Sequence, residues 1–421
     1  MLSSLTMRTW FLIALFDLFA AAVIGVLLRA MYIVELPFVR FRPWLHGHSH
    51  TALFGWLFIG ILVALLHDGG RGAMTPVIKW LFIGLQLAVL SMLFGFPAQG
   101  YGAFTITASS MHMALAYLAL GLLWRRSNAW PARGSRLLVR WAVVFFVLST
   151  LGVWAIGPIM ATGKQGQEIY YWAVQFYLHF QFNGWFWFAA MALGVRWAER
   201  KGIVFTMDVL TLLLWVASAV LTYALAIAWS EPHPLVFATV SLGVLLQVWA
   251  AVRTLRILSA TTRYAHDRMP AWCRWLIGVA LVSMALKVLV QAAVAVPAVA
   301  VMAFTIRHYV MGFIHMNTLG TMTMLLLAYA VLHNWCDTRR AVVRIALGLV
   351  ITGIIGSELL LFGQGTAFWA GWGLIPGHYW HLVIASSLIP LGTGMLLVQA
   401  LVRFRSSSVR SGPAQAIVGA D

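Results

Sequence analysis

Long apolar stretches alternate with short polar stretches along the whole chain. A bilayer core about 30 Å thick is crossed by roughly 20 apolar residues in a helix, and twelve stretches reach that length. They predict membrane-spanning helices near residues 9–34, 45–67, 76–97, 103–124, 137–160, 169–195, 208–229, 235–255, 272–296, 303–333, 341–363 and 377–402. The first is too long for a signal peptide, and no small-residue cleavage motif follows it. The pattern predicts an all-α integral membrane protein, a twelve-transmembrane-helix bundle.

The basic residues are concentrated on one side of the predicted membrane. Of the 28 Lys and Arg, 22 lie at the termini or in loops after even-numbered helices, four in loops after odd-numbered helices, and Arg29 and Lys287 within helices. By the positive-inside rule the basic side is cytoplasmic. We therefore expect a multi-pass protein of a bacterial-type inner membrane, with both termini in the cytoplasm.

Composition narrows the class further. The chain of 421 residues is 62% hydrophobic and only 9% charged, which is typical of a membrane protein. The topology and attraction to anionic lipid account for the net charge of +17, so nucleic acid is not an expected partner. Cys273 and Cys336 form no paired motif and are expected as free thiols. We predict one membrane domain, 1–403, and a disordered cytoplasmic tail, 404–421.

Histidine is the main candidate for chemistry inside the bundle. The chain has no phosphate-binding or dinucleotide-binding glycine motif, and Asp17 and Glu358 are the carboxylates placed clearly within predicted spans. Nine of thirteen histidines fall in even-numbered helices, on their external side. Six lie within roughly 8 Å of the outer helix ends and three lie about 15 Å in; the outer six are His46, His48, His50, His308, His378 and His381, and the inner three are His112, His179 and His315.

A single buried histidine is often only a packed, hydrogen-bonded residue, but nine on one side favour a functional set. Imidazole is the commonest protein ligand of transition metals. His48 and His50 point about 200° apart on a regular helix, which suits two different centres. His46 and His50 share one face, as do His308 and His315.

The sixth predicted helix, "IYYWAVQFYLHFQFNGWFWFAAMAL", carries a polar stripe of Gln175, His179 and Asn183 among aromatic residues. The stripe indicates either a metal or haem site walled by aromatic rings or an interhelical hydrogen-bond stripe. For Lys287, three roles stay open: a proton path, a position in a polar cavity, or pairing with Glu358.

Histidines in helices 2, 6 and 10 of a twelve-helix chain make it similar to the core subunit of haem–copper oxidases and nitric oxide reductases. The resemblance implies haem ligands at His48, His50, His308 and His315, with electrons from a quinol or a cytochrome. Helix 7 lacks the histidine pair of that superfamily, and helix 10 has His308 and His315 in place of H-x-H. These departures count against a standard oxygen-reducing binuclear centre.

Two short segments also resemble the NnrS family of haem- and copper-containing membrane proteins. "HSHTALFG" from His48 looks like their H-x-H-E-x-L-F-G segment, with Thr51 in place of the acid, and "HMNTLGTMTM" from His315 looks like a segment near their tenth helix.

The sequence thus leads to a membrane protein that binds b-type haem, with copper as a second expected metal. It would handle, reduce or sense a small gaseous ligand, nitric oxide or oxygen, as an oxidoreductase or a sensor. Haem ligands are expected at His48, His50, His308 and His315; metal ligands are expected at His112, His179, His378 and His381. The alternatives are a histidine-lined transporter or channel for a metal ion or small molecule, and a haem or copper assembly factor.

Overall fold

The computed structural model of the chain describes residues 6–67, 74–203, 207–266 and 269–410. Within these ranges we number thirteen helices: α1 Met7–Ala30, α2 Phe41–His67, α3 Pro76–Gln99, α4 Ala103–Ser127, α5 Arg133–Ala161, α6 168–200, α7 Val209–Ile227, α8 Pro234–His266, α9 Ala271–Ala293, α10 Pro297–Thr305, α11 Arg307–Leu332, α12 Ala341–Trp369 and α13 His378–Arg410. Every predicted span coincides with one of them, and α10 is an additional short helix.

The all-α membrane fold predicted from the sequence is confirmed. Eleven helices in the described residues are long and apolar enough to cross a membrane. The remaining predicted span, α6, is fully helical, but its polar stripe and its Trp and Tyr side chains lower its mean hydropathy. The chain is thus a multi-pass membrane protein. At its carboxyl end α13 continues to Arg410, and residues 411–421 of the predicted tail lie outside the described residues.

Two predicted helix starts were wrong. The predicted helix 303–333 is interrupted at Ile306, whose extended backbone (φ −84°, ψ 101°) separates α10 from α11. Thr305, Arg307 and His308 flank Ile306, so the predicted span was extended across a polar position. At the other position, α2 begins at Phe41, four residues before the predicted 45, because "FRPW" is already helical.

The amino end of α7 is capped by Asp208, which lies just before the membrane-spanning segment. Its carboxylate accepts from the backbone N–H of Thr211 at 2.9 Å and from Nη2 of Arg253 at 3.0 Å. Hydrogen bonds lower the pKa of Asp208 to about 2, below its ordinary value. The backbone N–H of Thr211 contributes most, followed by the side chains of Thr211 and Arg253. The cap accepts from one of the backbone N–H groups that have no partner within the helix at its amino end.

α2 and α11 lie at the centre of the bundle. Their membrane-spanning windows are 72% and 61% buried, against 28% to 44% for the other nine apolar helices. They meet where Trp56 Nε1 donates to Thr323 Oγ1 at 2.8 Å. Helix α1 packs between α2 and α13, and α12 packs along α13. The third interior helix is α6, whose side chains from Phe180 to Leu193 are buried.

Each of these three interior helices contains a π-helical segment. The segments are Thr51–Ile59 in α2, Gln181–Trp185 in α6 and Met316–Thr323 in α11. Two begin directly after a histidine, His50 and His315, and the third begins two residues after His179. Because π-helical turns are rare and concentrate at functional sites, the three segments mark the histidine-bearing parts of these helices.

Candidate functional site

His48 and His315 form a facing pair between the two central helices. Their ring centroids are 6.5 Å apart, with ring planes at 63°. His48 lies seven residues after the start of α2 at Phe41, and His315 eight residues after the start of α11 at Arg307. At 1.5 Å per residue both are about 11–12 Å from the helix starts.

This common depth corrects the two layers expected from the sequence, which placed His48 in the outer layer and His315 in the inner one. Since α2 begins earlier and α11 later than predicted, the two residues come to the same level. We call this end of the bundle, where α2, α11 and α13 begin, the histidine side.

The His48 ring is held by α1. Its Nδ1 lies 2.8 Å from the carbonyl oxygen of Ala21; because a carbonyl can only accept, Nδ1 carries the hydrogen and Nε2 keeps its lone pair. Gly25 provides the space, since a Cβ there would lie 3.0 Å from His48 Cε1. The Nδ1 atom of His315 is buried beside the backbone of Met311, without a hydrogen bond of normal geometry.

A second group of polar side chains lies nearby on the histidine side. The rings of His308 and His378 are 5.3 Å apart, and His378 is 1% exposed with both ring nitrogens unpartnered in the described structure. Both carboxylate oxygens of Glu358 are likewise buried without a hydrogen bond there. Arg29 donates to Ser386 Oγ and lies within electrostatic reach of His48, His315, His378 and Glu358. Arg29 therefore links the two groups.

His50 faces away from His48, as the helical phase predicted. Its ring contacts Phe96 of α3 at 4.5 Å and Phe54 at 5.2 Å between centroids. His112 of α4 is 1% exposed, stacks on the same Phe54 at 4.6 Å, and has an unpartnered Nε2. His46 lies one turn before His50, with ring centroids 6.4 Å apart. The H-x-H pair thus contributes to two different environments.

His179 belongs to a hydrogen-bonded network in α6. Its Nε2 donates to the carbonyl oxygen of Ala219 in α7 at 2.8 Å, and its Nδ1 lies 3.2 Å from Nδ2 of Asn183. Asn183 Oδ1 accepts from Lys287 Nζ at 2.7 Å and from Gln291 Nε2 at 2.9 Å. Both ring nitrogens of His179 are therefore engaged.

Of the alternatives for Lys287, pairing with Glu358 is not what the structure shows. The Lys287 ammonium lies 4.1 Å from the Trp187 ring centroid and binds Asn183 in a polar network between α6 and α9. His381, the remaining predicted ligand, is exposed and lies one turn after His378 on α13.

Two features were not found from the sequence. Arg29 had been noted only as a charge within a helix, although an ionisable residue inside a membrane span is itself a functional signal. At the other end of the bundle His67 Nδ1 lies 2.5 Å from the Tyr329 hydroxyl, and the His67 and His333 rings are 4.8 Å apart. This cluster forms because α2 and α11 are neighbours, and the sequence pattern does not predict which helices are neighbours.

The His48–His315 pair fits a metal held between two imidazoles. Metal–nitrogen bonds of about 2 Å, plus about 1 Å from each nitrogen to its ring centre, separate two such rings by about 6 Å. Of the two, His48 has the hydrogen bond on its other ring nitrogen that orients metal-binding histidines. In the part of the chain that the structure describes, no three His, Cys, Asp or Glu side chains converge on one metal position.

Comparison with known proteins supports the architecture. No protein-family model and no curated protein matches the chain. Among solved structures, a heme-copper terminal oxidase dimer determined by cryo-EM is similar, with a TM-score of 0.59 and 11% identity over 99% of this chain and 85% of that one. At that identity the similarity shows the fold, and the predicted haem–copper oxidase subunit I-like fold is confirmed. The nearer resemblance to NnrS proteins stays a prediction.

Proposed function

We propose that the protein is a membrane haem protein and that His48 and His315 would hold the iron of a b-type haem. The observation that carries the proposal is the 6.5 Å separation of the two rings between the central helices. Haem iron is commonly held by histidine. The fold, which is that of heme-copper terminal oxidases, agrees with this cofactor.

The chain's own residues would prepare this site. The Ala21 carbonyl fixes the His48 tautomer with Nε2 free for a metal, and the missing Cβ of Gly25 leaves room for the ring. Arg29 supplies a positive charge suited to carboxylate groups such as those of haem. A bound haem would supply one-electron redox chemistry.

The finer function follows from this cofactor. We propose that the protein handles, reduces or senses nitric oxide or oxygen, with electrons from a quinol or a cytochrome where reduction occurs. His50 and His308 are proposed as further haem ligands, and His112, His378 and His381 as metal ligands. His179 could join them only by giving up its bond to Ala219. The histidine side would face the cell exterior and the termini the cytoplasm.

The test is a visible spectrum of the protein purified from haem-replete cells. We expect a Soret band and a sharp α-band after reduction, as given by a six-coordinate haem. His48→Ala and His315→Ala should each lose the sharp α-band. The matched control is His233→Ala, because His233 is exposed in the loop before α8. Absence of a Soret band in the wild type, or a wild-type spectrum in both variants, would contradict the proposal.

A further inference from the structure

A carboxyl group is buried in the middle of α1. Asp17 is 0% exposed and, at 1.5 Å per residue, lies about 15 Å from the start of the helix at Met7. Gln86 of α3 donates from Nε2 to Asp17 Oδ1 at 2.9 Å. Burial and this amide are the two influences on the carboxyl group, and no cation is among them. An ionised carboxylate inside a membrane is costly unless a cation or several donors compensate its charge.

The ionisable groups of the surrounding helices do not compensate this carboxyl group. α1 packs against α2 and α13, and Gln86 joins it to α3. Among the described side chains these four helices carry Arg8, Arg29, His46, His48, His50, His67, Lys79, His378, His381 and Arg403. None of them is within electrostatic reach of Asp17. Glu358, the other carboxylate within a span, differs in this respect because Arg29 is within its reach.

The hydrogen bonding between Asp17 and Gln86 is half complete. Asp17 Oδ2 and Gln86 Oε1 are both buried without a partner in the described structure. When the carboxyl group is ionised, both atoms are acceptors and neither can bond to the other. A proton on Oδ2 makes it a donor, and a carboxylic acid and a primary amide can then exchange two reciprocal hydrogen bonds. One proton therefore supplies the hydrogen that this pair of side chains lacks.

The space around the carboxyl group also favours a proton over a larger ion. Gly55, in the π-helical segment Thr51–Ile59, faces Asp17, and a Cβ there would lie 2.7 Å from Asp17 Oδ2. The carboxyl group thus packs directly against the backbone of α2, which leaves no room for a hydrated ion on that side. A proton needs no additional space.

We propose that Asp17 is a proton-binding site inside the membrane and that it takes up a proton when a haem between His48 and His315 is reduced. This inference rests on the proposed function. Asp17 lies one turn of α1, or about 6 Å along the axis, from Ala21, whose carbonyl oxygen accepts from His48 Nδ1. One electron from the donor removes one positive charge from the haem, and Asp17 binds one proton from water to form an O–H bond. Because charges interact strongly in an apolar interior, loss of the positive charge favours the neutral acid.

The first measurement is the infrared spectrum of the purified protein, because a protonated carboxyl group has a carbonyl stretch that an ionised one lacks. Asp17→Asn keeps the shape of the side chain but cannot carry the proton. Gln86→Leu keeps the carboxyl group and removes its amide partner. The matched control is Asp208→Asn: hydrogen bonds keep Asp208 ionised above a pKa of about 2, and asparagine preserves the helix cap. Thermal melts show whether each variant is folded.

The second measurement is the midpoint potential of the haem as a function of pH. Reduction that favours proton binding is itself favoured by protons, so the potential falls as pH rises. One proton per electron corresponds to about 59 mV for each tenfold change in proton concentration. We expect the wild type and Asp208→Asn to approach this slope over part of the pH range, and Asp17→Asn to have a smaller slope.

In the infrared spectrum we expect a carboxylic-acid band that is present in the wild type and in Asp208→Asn, lost in Asp17→Asn and shifted in Gln86→Leu. Its intensity should rise when the haem is reduced. A band retained in Asp17→Asn, a band unshifted in Gln86→Leu, or equal pH slopes of the potential in the wild type and Asp17→Asn would overturn the proposal. A protein with no Soret band, in which Asp17→Asn still removes the infrared band, would refute the haem and its link to Asp17 but support the proton site.

Discussion

Gly25 sets the position of the His48 ring, and its replacement tests the haem site without touching a ligand. A Cβ at this position would lie 3.0 Å from His48 Cε1 and 3.4 Å from Nδ1. The single added carbon of Gly25→Ala is accommodated by a ring shift of a few tenths of an ångström. The side chain of Gly25→Leu cannot be accommodated that way, so it must push the ring off the Ala21 carbonyl.

The magnitude follows from the bond that is lost. A buried hydrogen-bonding group left without its partner costs about 1–3 kcal/mol. Haem affinity in Gly25→Leu should therefore fall by about 5- to 150-fold, since 1.4 kcal/mol is a factor of ten. Gly25→Ala should show a smaller loss of affinity. Both replacements also remove a glycine from a helix interior. That removal by itself stabilises a helix by up to about 1 kcal/mol.

The assay is haem transfer to apomyoglobin, followed at the Soret band, beside a thermal melt of the same sample. The matched controls are Gly121→Ala and Gly121→Leu, because a Cβ at Gly121 in α4 meets nothing within 4 Å. We expect the Gly121 variants to keep wild-type haem affinity. Wild-type haem retention in Gly25→Leu would refute the role given to His48, whereas equal losses at Gly25 and Gly121 would point to a general effect on packing.

Two further predictions concern stability. Asn183→Leu leaves Lys287 and Gln291 without their shared acceptor, so the free energy of unfolding should fall by about 2–6 kcal/mol; a melting temperature unchanged from the wild type would contradict this. Asp208→Ala removes the α7 cap and should cost about 1 kcal/mol at pH 7. Folding lowers the pKa of Asp208 to about 2, so its contribution to stability is present above the ordinary carboxyl pKa and is lost as pH falls towards 2. The melting temperatures of the wild type and Asp208→Ala should therefore be closer together in acid. A difference that stays constant with pH would count against the cap.

The spans could be predicted because hydrophobic length is a local property. Twenty apolar residues in sequence form a membrane helix whatever their neighbours are, and each predicted span coincides with a helix. The directions in which His48 and His50 point could be predicted for the same reason, because each helix residue is rotated by about 100° from the one before it. The break at Ile306 was missed because apolar stretches before and after it were joined across the polar residues Thr305, Arg307 and His308.

Partners across the bundle could not be predicted, because they depend on which helices become neighbours. Lys287 had two polar candidates in the sequence, the Glu358 carboxylate and a polar cavity. Its actual acceptor, Asn183, lies 104 positions away. The equal depth of His48 and His315 likewise follows from two helix starts, each of which the apolar pattern misplaced by four residues.

The π-helical segments determine what the insertion or deletion of one residue would do to this chain during evolution. A π-helical turn takes up one more residue per hydrogen-bonded ring than an α-helical turn. Removing one residue from Thr51–Ile59 could restore an α-helix and rotate the histidine-bearing end by about 100° relative to the part beyond it. That part is anchored separately, by Trp56 on Thr323. The insertion or deletion of one residue in these segments would therefore change the direction in which a histidine points. The part of the bundle beyond the segments, away from the histidine side, would stay in register.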